Sequence, residues 1–368
     1  MTYRKVQFIA YRIYTGAAVG ADGMGTHFVG PRDPVSDLSV RLDLMTEAIH
    51  AAANSPDINR DPSVLKVFVA PEFYFRPRTG AYPDNGLLGA MGAAPTRGTI
   101  MGELSAKLHG PDWKDWLFVF GTAMVENRMA GEPRKPPGEI EMLNLALVQK
   151  GDRSLVVQKK RRGSEDWMDF PDVSPVAEDV KGFGGQWPSY FEGAFPLSYS
   201  EELNDRVLPG RGIDRGGIVR LDGITFGIEI CADHGFERLR GIAMESGDVY
   251  AQIQIVPACG TWIVDARVAT LKGGLIFGVD GAMKTLVASP AKSESGYHSE
   301  LKMVTSENSR PPLAKGSTPT LEAFPVLATV RRIHSELAKV QEVFWLPPDN
   351  QPELAIYGSV PIPSEVTA

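Results

Sequence analysis

Residues 227–239 read GIEICADHGFERL, an apolar strand-like run that ends at Cys231 and continues directly into the start of a helix. The first amides of a helix have no partners within the helix and carry the positive end of its dipole. A thiol at this elbow therefore lies beside donors that favour a thiolate and can hold a developing oxyanion. Free cysteines are also among the most buried residue types, so Cys231 alone leaves open a role as a small core residue.

The composition is that of an ordinary soluble globular protein. The chain has 368 residues, of which 43% are hydrophobic and 23% charged, with a net charge of −7. This balance offers no basic surface for nucleic acid, and no run approaches the roughly 20 apolar residues that span a bilayer. We expect one α/β domain over residues 1–368 with long loops, a small-molecule partner, and no nucleic-acid or membrane partner.

The chain start and the cysteine content predict a cytoplasmic protein. The first ten residues, MTYRKVQFIA, contain no small-residue cleavage site and predict a first strand, not a signal peptide. The two cysteines, Cys231 and Cys259, cannot build a disulfide framework or a thiolate metal site by themselves. We therefore expect free thiols, no metal and no cofactor.

Short β-rich runs alternate with helical stretches, which predicts a mixed α/β fold. Eight runs have strand character: 5–13, 64–70, 116–125, 143–149, 154–159, 217–221, 224–230 and 251–256. Two stretches have helical periodicity, 38–52 behind a possible cap at Ser36, and 100–108. Three stretches, 76–95, 131–138 and 289–320, are predicted to be long loops.

Charged residues follow two further apolar strands. The run VFVAPEFYF (residues 67–75) places Glu72 between apolar and aromatic residues. Poor solvation there is expected to raise the pKa of the carboxyl group and to suit it for proton transfer near neutral pH. The strand LVVQ (residues 155–158) ends in four cations that include Lys159 and Lys160. Taken alone, each feature also fits a surface turn or a solvated edge.

The order of these features resembles the nitrilase superfamily of carbon–nitrogen hydrolases. Its pattern is a glutamate after proline at a strand end, a lysine at a hairpin end, and a cysteine in Ile-Cys-x-Asp-x-x-Phe; Glu72, the Lys159–Lys160 pair and Cys231 match it. The resemblance spans most of the chain and implies a four-layer α-β-β-α sandwich of two mixed sheets. It also implies that Cys231 is the nucleophile and Glu72 the general base, with a thioester intermediate.

The alternation of side chains along the strand bears on which lysine faces the site. Neighbours on a strand face opposite sides, so only one of Lys159 and Lys160 can point inward. The family's usual spacing from the hairpin residue corresponding to Asn144 favours Lys160 as the oxyanion stabiliser, with Lys159 as the alternative. Glu165 lies where many members carry a second carboxylate. The residues expected to border the substrate are Glu165, Tyr74, Ala232 and Trp262.

The substrate class and assembly are implied by the same resemblance. Asp233, two residues after Cys231, is more typical of amidases and carbamoylases than of nitrilases proper, which favours a small amide or carbamoyl substrate over a nitrile. Family members commonly pair near the nucleophile helix, so a homodimer or higher homo-oligomer through residues 236–250 is expected. His234 is disfavoured as a base because neighbours at a helix start diverge.

Two other functions stay open on the sequence alone. One is a metal-dependent phosphoesterase, which can use a similar layered fold with a strand-end glutamate such as Glu72. The other is a catalytically silent binding protein that retains the nitrilase fold. A requirement for a divalent metal would distinguish the first, and a biological effect that survives Cys231→Ala would distinguish the second.

Overall fold

The fold is described from a computed structural model. The described residues are 3–19, 25–83, 98–126, 133, 142–151, 153–159, 194–196, 217–241, 251–282, 298–306, 318–346 and 350–364. The strands are β1 (Lys5–Arg12), β2 (Ala18–Val19), β3 (Gly25–His27), β4 (Val64–Val69), β5 (Trp116–Glu126), β6 (Met142–Lys150), β7 (Arg153–Gln158), β8 (Ala194–Pro196), β9 (Ile218–Leu221), β10 (Ile224–Ile228), β11 (Ala251–Ala258), β12 (Thr270–Asp280), β13 (His298–Val304), β14 (Leu321–Phe324), β15 (Val326–Arg331), β16 (Glu353–Tyr357) and β17 (Val360–Pro361). The helices are α1 (Pro34–Asn54), α2 (Ile100–Lys107), α3 (Ala232–Gly235) and α4 (Leu337–Val343).

Two mixed sheets form the centre of the molecule. Within the described residues, the larger has the strand order β15-β16-β1-β4-β5-β6-β7-β8, with β17 beside β1, and the smaller has the order β14-β13-β12-β11-β10-β9. In the larger sheet β1, β4 and β5 run parallel; in the smaller sheet β10, β11 and β12 do. The flanking strands are antiparallel. The predicted α/β fold with two mixed sheets is confirmed.

The alternation of side chains along the strands separates two cores. Phe8 and Ala10 of β1 belong to the core between the two sheets, whereas Ile9 and Tyr11 pack with residues of α1, α2 and α4 on the other face of the larger sheet. Helices therefore form the layer outside the larger sheet. On the outer side of the smaller sheet the described part of the fourth layer is residues 232–241, where the N–H of Leu239 bonds to the carboxylate of buried Glu229.

Helix α1 begins before residues 38–52, the range over which the sequence predicts a helix. Asp33 is its cap, because the Asp33 carboxylate accepts both the N–H of Ser36 (2.9 Å) and its hydroxyl (2.6 Å). Pro34 supplies the first helical residue, where its missing N–H costs nothing. The prediction of Ser36 as the cap is therefore wrong by one turn, and Ser36 instead donates to the true cap.

The eight predicted strand runs are all strands, and the helices predicted over 38–52 and 100–108 are present. The helix predicted after Cys231 is the short α3 (Ala232–Gly235) in the described residues. The predicted loop over 289–320 is wrong in part, because residues 298–304 form β13 and pair with β12. Residues 84–97 and most of 131–138 lie outside the described residues. No helix in the described part of the chain is both long and apolar enough to cross a membrane.

Gly121 allows the loop after β4 to cross β5 closely. It has φ +74°, and a Cβ there would lie 2.2 Å from the carbonyl oxygen of Pro71. Gly121→Ala is therefore expected to lower the free energy of unfolding by more than the roughly 1–3 kcal/mol of a left-handed residue alone. Gly151 is the matched control, because it has φ +62° and a Cβ added there would meet nothing within 4 Å.

Urea denaturation of the two variants measures this difference. Gly151→Ala should lose only the conformational term, while Gly121→Ala should lose that term plus the cost of moving Pro71 and the adjoining Glu72. Equal losses in the two variants would contradict the close crossing.

Candidate active site

Three of the sequence-predicted features meet at one end of the sandwich. Glu72 follows β4 of the larger sheet, Lys159 follows β7 of the same sheet, and Cys231 follows β10 of the smaller sheet. The backbone N–H of Glu72 donates to the carbonyl oxygen of Ala258 at the end of β11 (3.3 Å). This bond joins the two sheets at the place where the charged residues converge.

Glu72 is fully buried and accepts three described hydrogen bonds. Its Oε1 accepts from the Nζ of Lys159 at 2.7 Å and from the Nδ2 of Asn144 at 2.8 Å. Its Oε2 accepts from the backbone N–H of Cys259 at 3.1 Å. A buried carboxylate is tolerated when it is paired and hydrogen-bonded in this way, and the bonds fix the orientation of the carboxylate.

The lysine that contacts Glu72 in the described part of the chain is Lys159. Its side chain is 2% exposed and forms an ion pair with Glu72. Lys160, which the spacing from Asn144 favoured, lies outside the described residues. The contact between Lys159 and Glu72 supports the alternative that alternation left open.

The hairpin register explains this outcome. Lys150 pairs with Arg153 across a two-residue turn, and Leu145 pairs with Gln158. Continuing that register places Lys159 opposite Asn144, whose carbonyl oxygen accepts the Lys159 N–H at 2.8 Å. Directly opposed residues project from the same face of a sheet, so both side chains reach Glu72.

Cys231 occupies a strained elbow between strand and helix. Its backbone has φ 47° and ψ −105°, an unusual combination for a residue with a side chain, and such strain is concentrated at functional sites. The N–H of Cys231 donates to the carbonyl oxygen of Pro257 (3.0 Å), which holds the elbow against β11. The residue is 8% exposed, so the thiol is nearly enclosed.

The backbone of Cys259 links the thiol of Cys231 to the carboxylate of Glu72. Its N–H donates to Glu72, while its carbonyl oxygen accepts from the Sγ of Cys231 at 3.8 Å. The hydroxyl oxygen of Thr261 lies 3.3 Å from the same sulfur. One short segment thus contacts both the candidate nucleophile and the candidate base.

The surroundings of Cys231 favour a neutral thiol at rest. Burial raises the pKa of the Cys231 thiol well above its ordinary value, and the negative charge of Glu72 raises it further. The ammonium of Lys159 and the hydrogen bond with Thr261 act in the opposite direction. A thiolate is therefore expected to form only as the sulfur attacks and a base removes its proton.

His234 belongs to the support behind the elbow. Its Nδ1 lies 2.7 Å from the carboxylate of Glu229, and its Nε2 accepts the N–H of Val264 at 2.9 Å. Glu229 also accepts a hydrogen bond from Gln254. Both ring nitrogens are occupied away from the sulfur, which agrees with the expectation that His234 is not the base.

Arg238 ties the elbow to the lysine strand. Its guanidinium donates to the carboxylate of Asp233 at 3.0 Å and to the carbonyl oxygen of Gln158 at 2.9 Å. Asp233 follows Cys231 by two residues, and Gln158 directly precedes Lys159. The bridge therefore fixes the position of the nucleophile relative to the cation.

The residues predicted to border the substrate divide into three groups. Tyr74 is a correction: it is fully buried in the core beneath α1, and its hydroxyl donates to the carbonyl oxygen of Arg41 at 3.1 Å. Glu165 lies outside the described residues. Ala232, which follows Cys231, and Trp262, which follows Thr261, are both half-buried, and their role at the border of the substrate stays a prediction. Within the described residues no three His, Cys, Asp or Glu side chains are grouped to hold a metal ion.

Two polar contacts of the site were not predicted. Asn144 stands within the otherwise apolar start of β6, and a buried polar side chain requires a partner, so the pattern itself contained a signal. Thr261 follows β11 in a segment without regular structure, and its contact with Cys231 depends on tertiary packing. The sequence offered no local sign of that contact.

Comparison with known proteins gives structural neighbours of low identity. The chain matches no protein-family model and shows no significant similarity to a curated protein. Solved structures similar to it include Saccharomyces cerevisiae Nit3, of branch 10 of the nitrilase superfamily, with 13% identity over 81% of this chain and 82% of that one, TM-score 0.37. An amidase from Nesterenkonia sp. has 13% identity over 88% and 92% of the two chains, TM-score 0.35. A carbon–nitrogen hydrolase from Helicobacter pylori G27 has 10% identity over 82% of each chain, TM-score 0.35.

Proposed function

We propose that this protein hydrolyses a non-peptide carbon–nitrogen bond in a small amide or carbamoyl substrate. The observation that carries the proposal is the buried ion pair between Glu72 and Lys159, which the Cys259 peptide connects to the thiol of Cys231. A thiol, a carboxylate and an ammonium group in one water-poor place are the groups that acyl transfer through a thioester requires.

In the proposed first half-reaction, the sulfur of Cys231 attacks the carbonyl carbon of the substrate while Glu72 accepts the thiol proton. The carbonyl oxygen becomes an oxyanion, which the ammonium of Lys159 stabilises together with the N–H of Ala232. Within the described part of the chain that N–H has no hydrogen-bond acceptor of its own, as expected at the first turn of a helix.

The tetrahedral intermediate then collapses, and the carbon–nitrogen bond breaks. The leaving amine takes the proton from Glu72, and the acyl group stays on Cys231 as a thioester. Water then gives a proton to Glu72 and attacks the thioester; the sulfur leaves with that proton, which releases a carboxylic or carbamic acid. The base is restored at the end of each cycle.

Access to the sulfur defines where the substrate would lie. Three half-buried residues lie beside Cys231. Ala232 follows it in the chain, and Cys259 and Thr261 contact its sulfur. Trp262 follows Thr261. Ala232 is smaller than the aromatic residue that often follows the nucleophile in the family, and we propose that the acyl group lies beside it. Cytoplasmic location, a single domain and a homodimer through residues 236–250 stay predictions; residues 242–250 lie outside the described residues.

A screen of small amides, carbamoyl amino acids and nitriles for ammonia release tests the proposal. The wild type should release ammonia from an amide or carbamoyl compound, and Cys231→Ala should release none. Cys259→Ala is the matched thiol control, because the hydrogen bonds of Cys259 with Glu72 and Cys231 are made by its backbone. Activity that survives in Cys231→Ala contradicts the proposal, and phosphatase activity abolished by a chelator would favour the phosphoesterase.

A further inference from the structure

Residues 259–264 (CGTWIV) form a segment, which we call the strap, that passes beside the sulfur of Cys231. The strap follows β11 and has no regular secondary structure. Segments of this kind are normally mobile unless their backbone groups are bonded elsewhere. The backbone bonds of the strap therefore decide whether it can hold a catalytic group in place.

Four backbone N–H groups of the strap donate to side chains of the surrounding fold. Besides the bond from Cys259 to Glu72, the N–H of Gly260 donates to Asp280 at 2.7 Å and that of Ile263 to Glu300 at 3.3 Å. The N–H of Val264 donates to the Nε2 of His234 at 2.9 Å. The acceptors come from four separate parts of the fold, so the strap is held along its length.

Thr261 lies between these anchors, and its hydroxyl oxygen is 3.3 Å from the sulfur of Cys231. The sulfur can donate its own proton to the carbonyl oxygen of Cys259 at 3.8 Å. In that arrangement the Thr261 hydroxyl is the donor and the sulfur the acceptor. The same donation becomes stronger when the sulfur loses its proton, because hydrogen bonds to charged acceptors are shorter and stronger.

We propose that Thr261 is a further catalytic residue, whose hydroxyl donates a hydrogen bond to the sulfur of Cys231 and stabilises it as it becomes a thiolate. The inference rests on the proposed function, since it takes Cys231 as the nucleophile. No proton leaves Thr261: the thiol proton goes to Glu72, and the hydroxyl supplies only an oriented dipole. The strap positions that dipole before the substrate arrives, so no reorganisation is needed during attack.

Alkylation of Cys231 by iodoacetamide measures this contact without a substrate. Thr261→Val keeps the shape of the side chain and removes the hydroxyl, and Thr261→Ser keeps the hydroxyl and removes the methyl group. A hydrogen bond to a charged group corresponds to about one pKa unit. We expect the midpoint of the pH profile to rise by about one pH unit in Thr261→Val and to return in Thr261→Ser.

The rate at neutral pH should fall about threefold in Thr261→Val, because the more basic thiolate is also more nucleophilic and offsets about half of the loss. Peptide mapping assigns the label to Cys231, and circular dichroism confirms folding. If Thr261→Val does not fold, Thr261→Ala and Thr261→Ser provide the same comparison.

The outcomes separate the two proposals. An unchanged pH profile in Thr261→Val, or a Thr261→Ser profile equal to that of Thr261→Val, overturns the role of the hydroxyl and leaves the proposed function intact. Ammonia release that continues after complete alkylation of Cys231 overturns both. A shifted midpoint restored by serine supports the inference.

Discussion

Replacing Lys159 by methionine is expected to lower turnover by about 100- to 1000-fold, the usual effect of removing one donor to an oxyanion. The ammonium of Lys159 is buried and lies 2.7 Å from Glu72, so it orients the base as well as stabilising the charge that develops on the substrate. Lys160→Met removes an equal side chain from the next residue. Because neighbours alternate in direction, that variant should retain most of its activity.

Stability must be separated from catalysis in this comparison. Loss of Lys159 leaves Glu72 buried without its cation, and breaking a buried pair costs about 3–5 kcal/mol. The double variant Lys159→Met with Glu72→Gln removes both charges and should recover part of the stability without recovering turnover. An active Lys159→Met variant, or an inactive but folded Lys160→Met variant, would show that Lys159 is not the lysine that stabilises the oxyanion.

Glu72→Gln should lower turnover by about 100- to 10,000-fold, the range attributed to general acid–base catalysis. Glutamine keeps the volume of the side chain but cannot take the thiol proton. Its amide group also meets donors on both sides, Lys159 and Asn144 at one oxygen position and the Cys259 N–H at the other. Whichever way the amide is turned, its NH₂ group faces a donor, so some stability is lost as well.

Asp115→Asn is the matched control for this change. Asp115 is another buried carboxylate, which accepts a hydrogen bond from the hydroxyl of Tyr3 at 3.1 Å. It precedes β5, whereas Glu72 follows the parallel strand β4, so the two acids stand at opposite ends of the sheet. Asp115→Asn should lower stability with unchanged turnover. Equal turnover in Glu72→Gln and the wild type would remove Glu72 as the base.

The strands that the sequence predicted are those with continuous apolar or β-branched runs. The central strand β4 (VLKVFV) is buried along its length, and its composition reports that burial directly. Strand β12 (TLKGGLIFGVD) was not predicted, because its glycines resemble turn residues. Strand β15 lies at a sheet edge with Leu327 60% exposed, so its residues do not show the pattern of a buried strand.

The candidate site was predictable where its chemistry follows from local sequence. Cys231 and Glu72 each end an apolar strand, and strand ends on the same side of a layered fold converge. The choice between Lys159 and Lys160 depends on one residue of register, which the two-residue hairpin turn determines and a family spacing does not. Asn144 and Thr261 contribute through long-range contacts: the apolar surroundings of Asn144 indicate that it needs a partner but not which one, and no local pattern indicates the contact of Thr261.

The proposed mechanism requires a thioester on Cys231, which acid quenching during turnover would trap. A substrate that releases ammonia would be mixed with the enzyme, quenched within the first turnovers, digested and analysed by mass spectrometry. We expect an acyl adduct on the peptide that contains Cys231, removable by hydroxylamine and lacking in Cys231→Ala. An adduct on Cys259 instead, or turnover that continues in Cys231→Ala with no adduct on any peptide, would contradict the proposed mechanism.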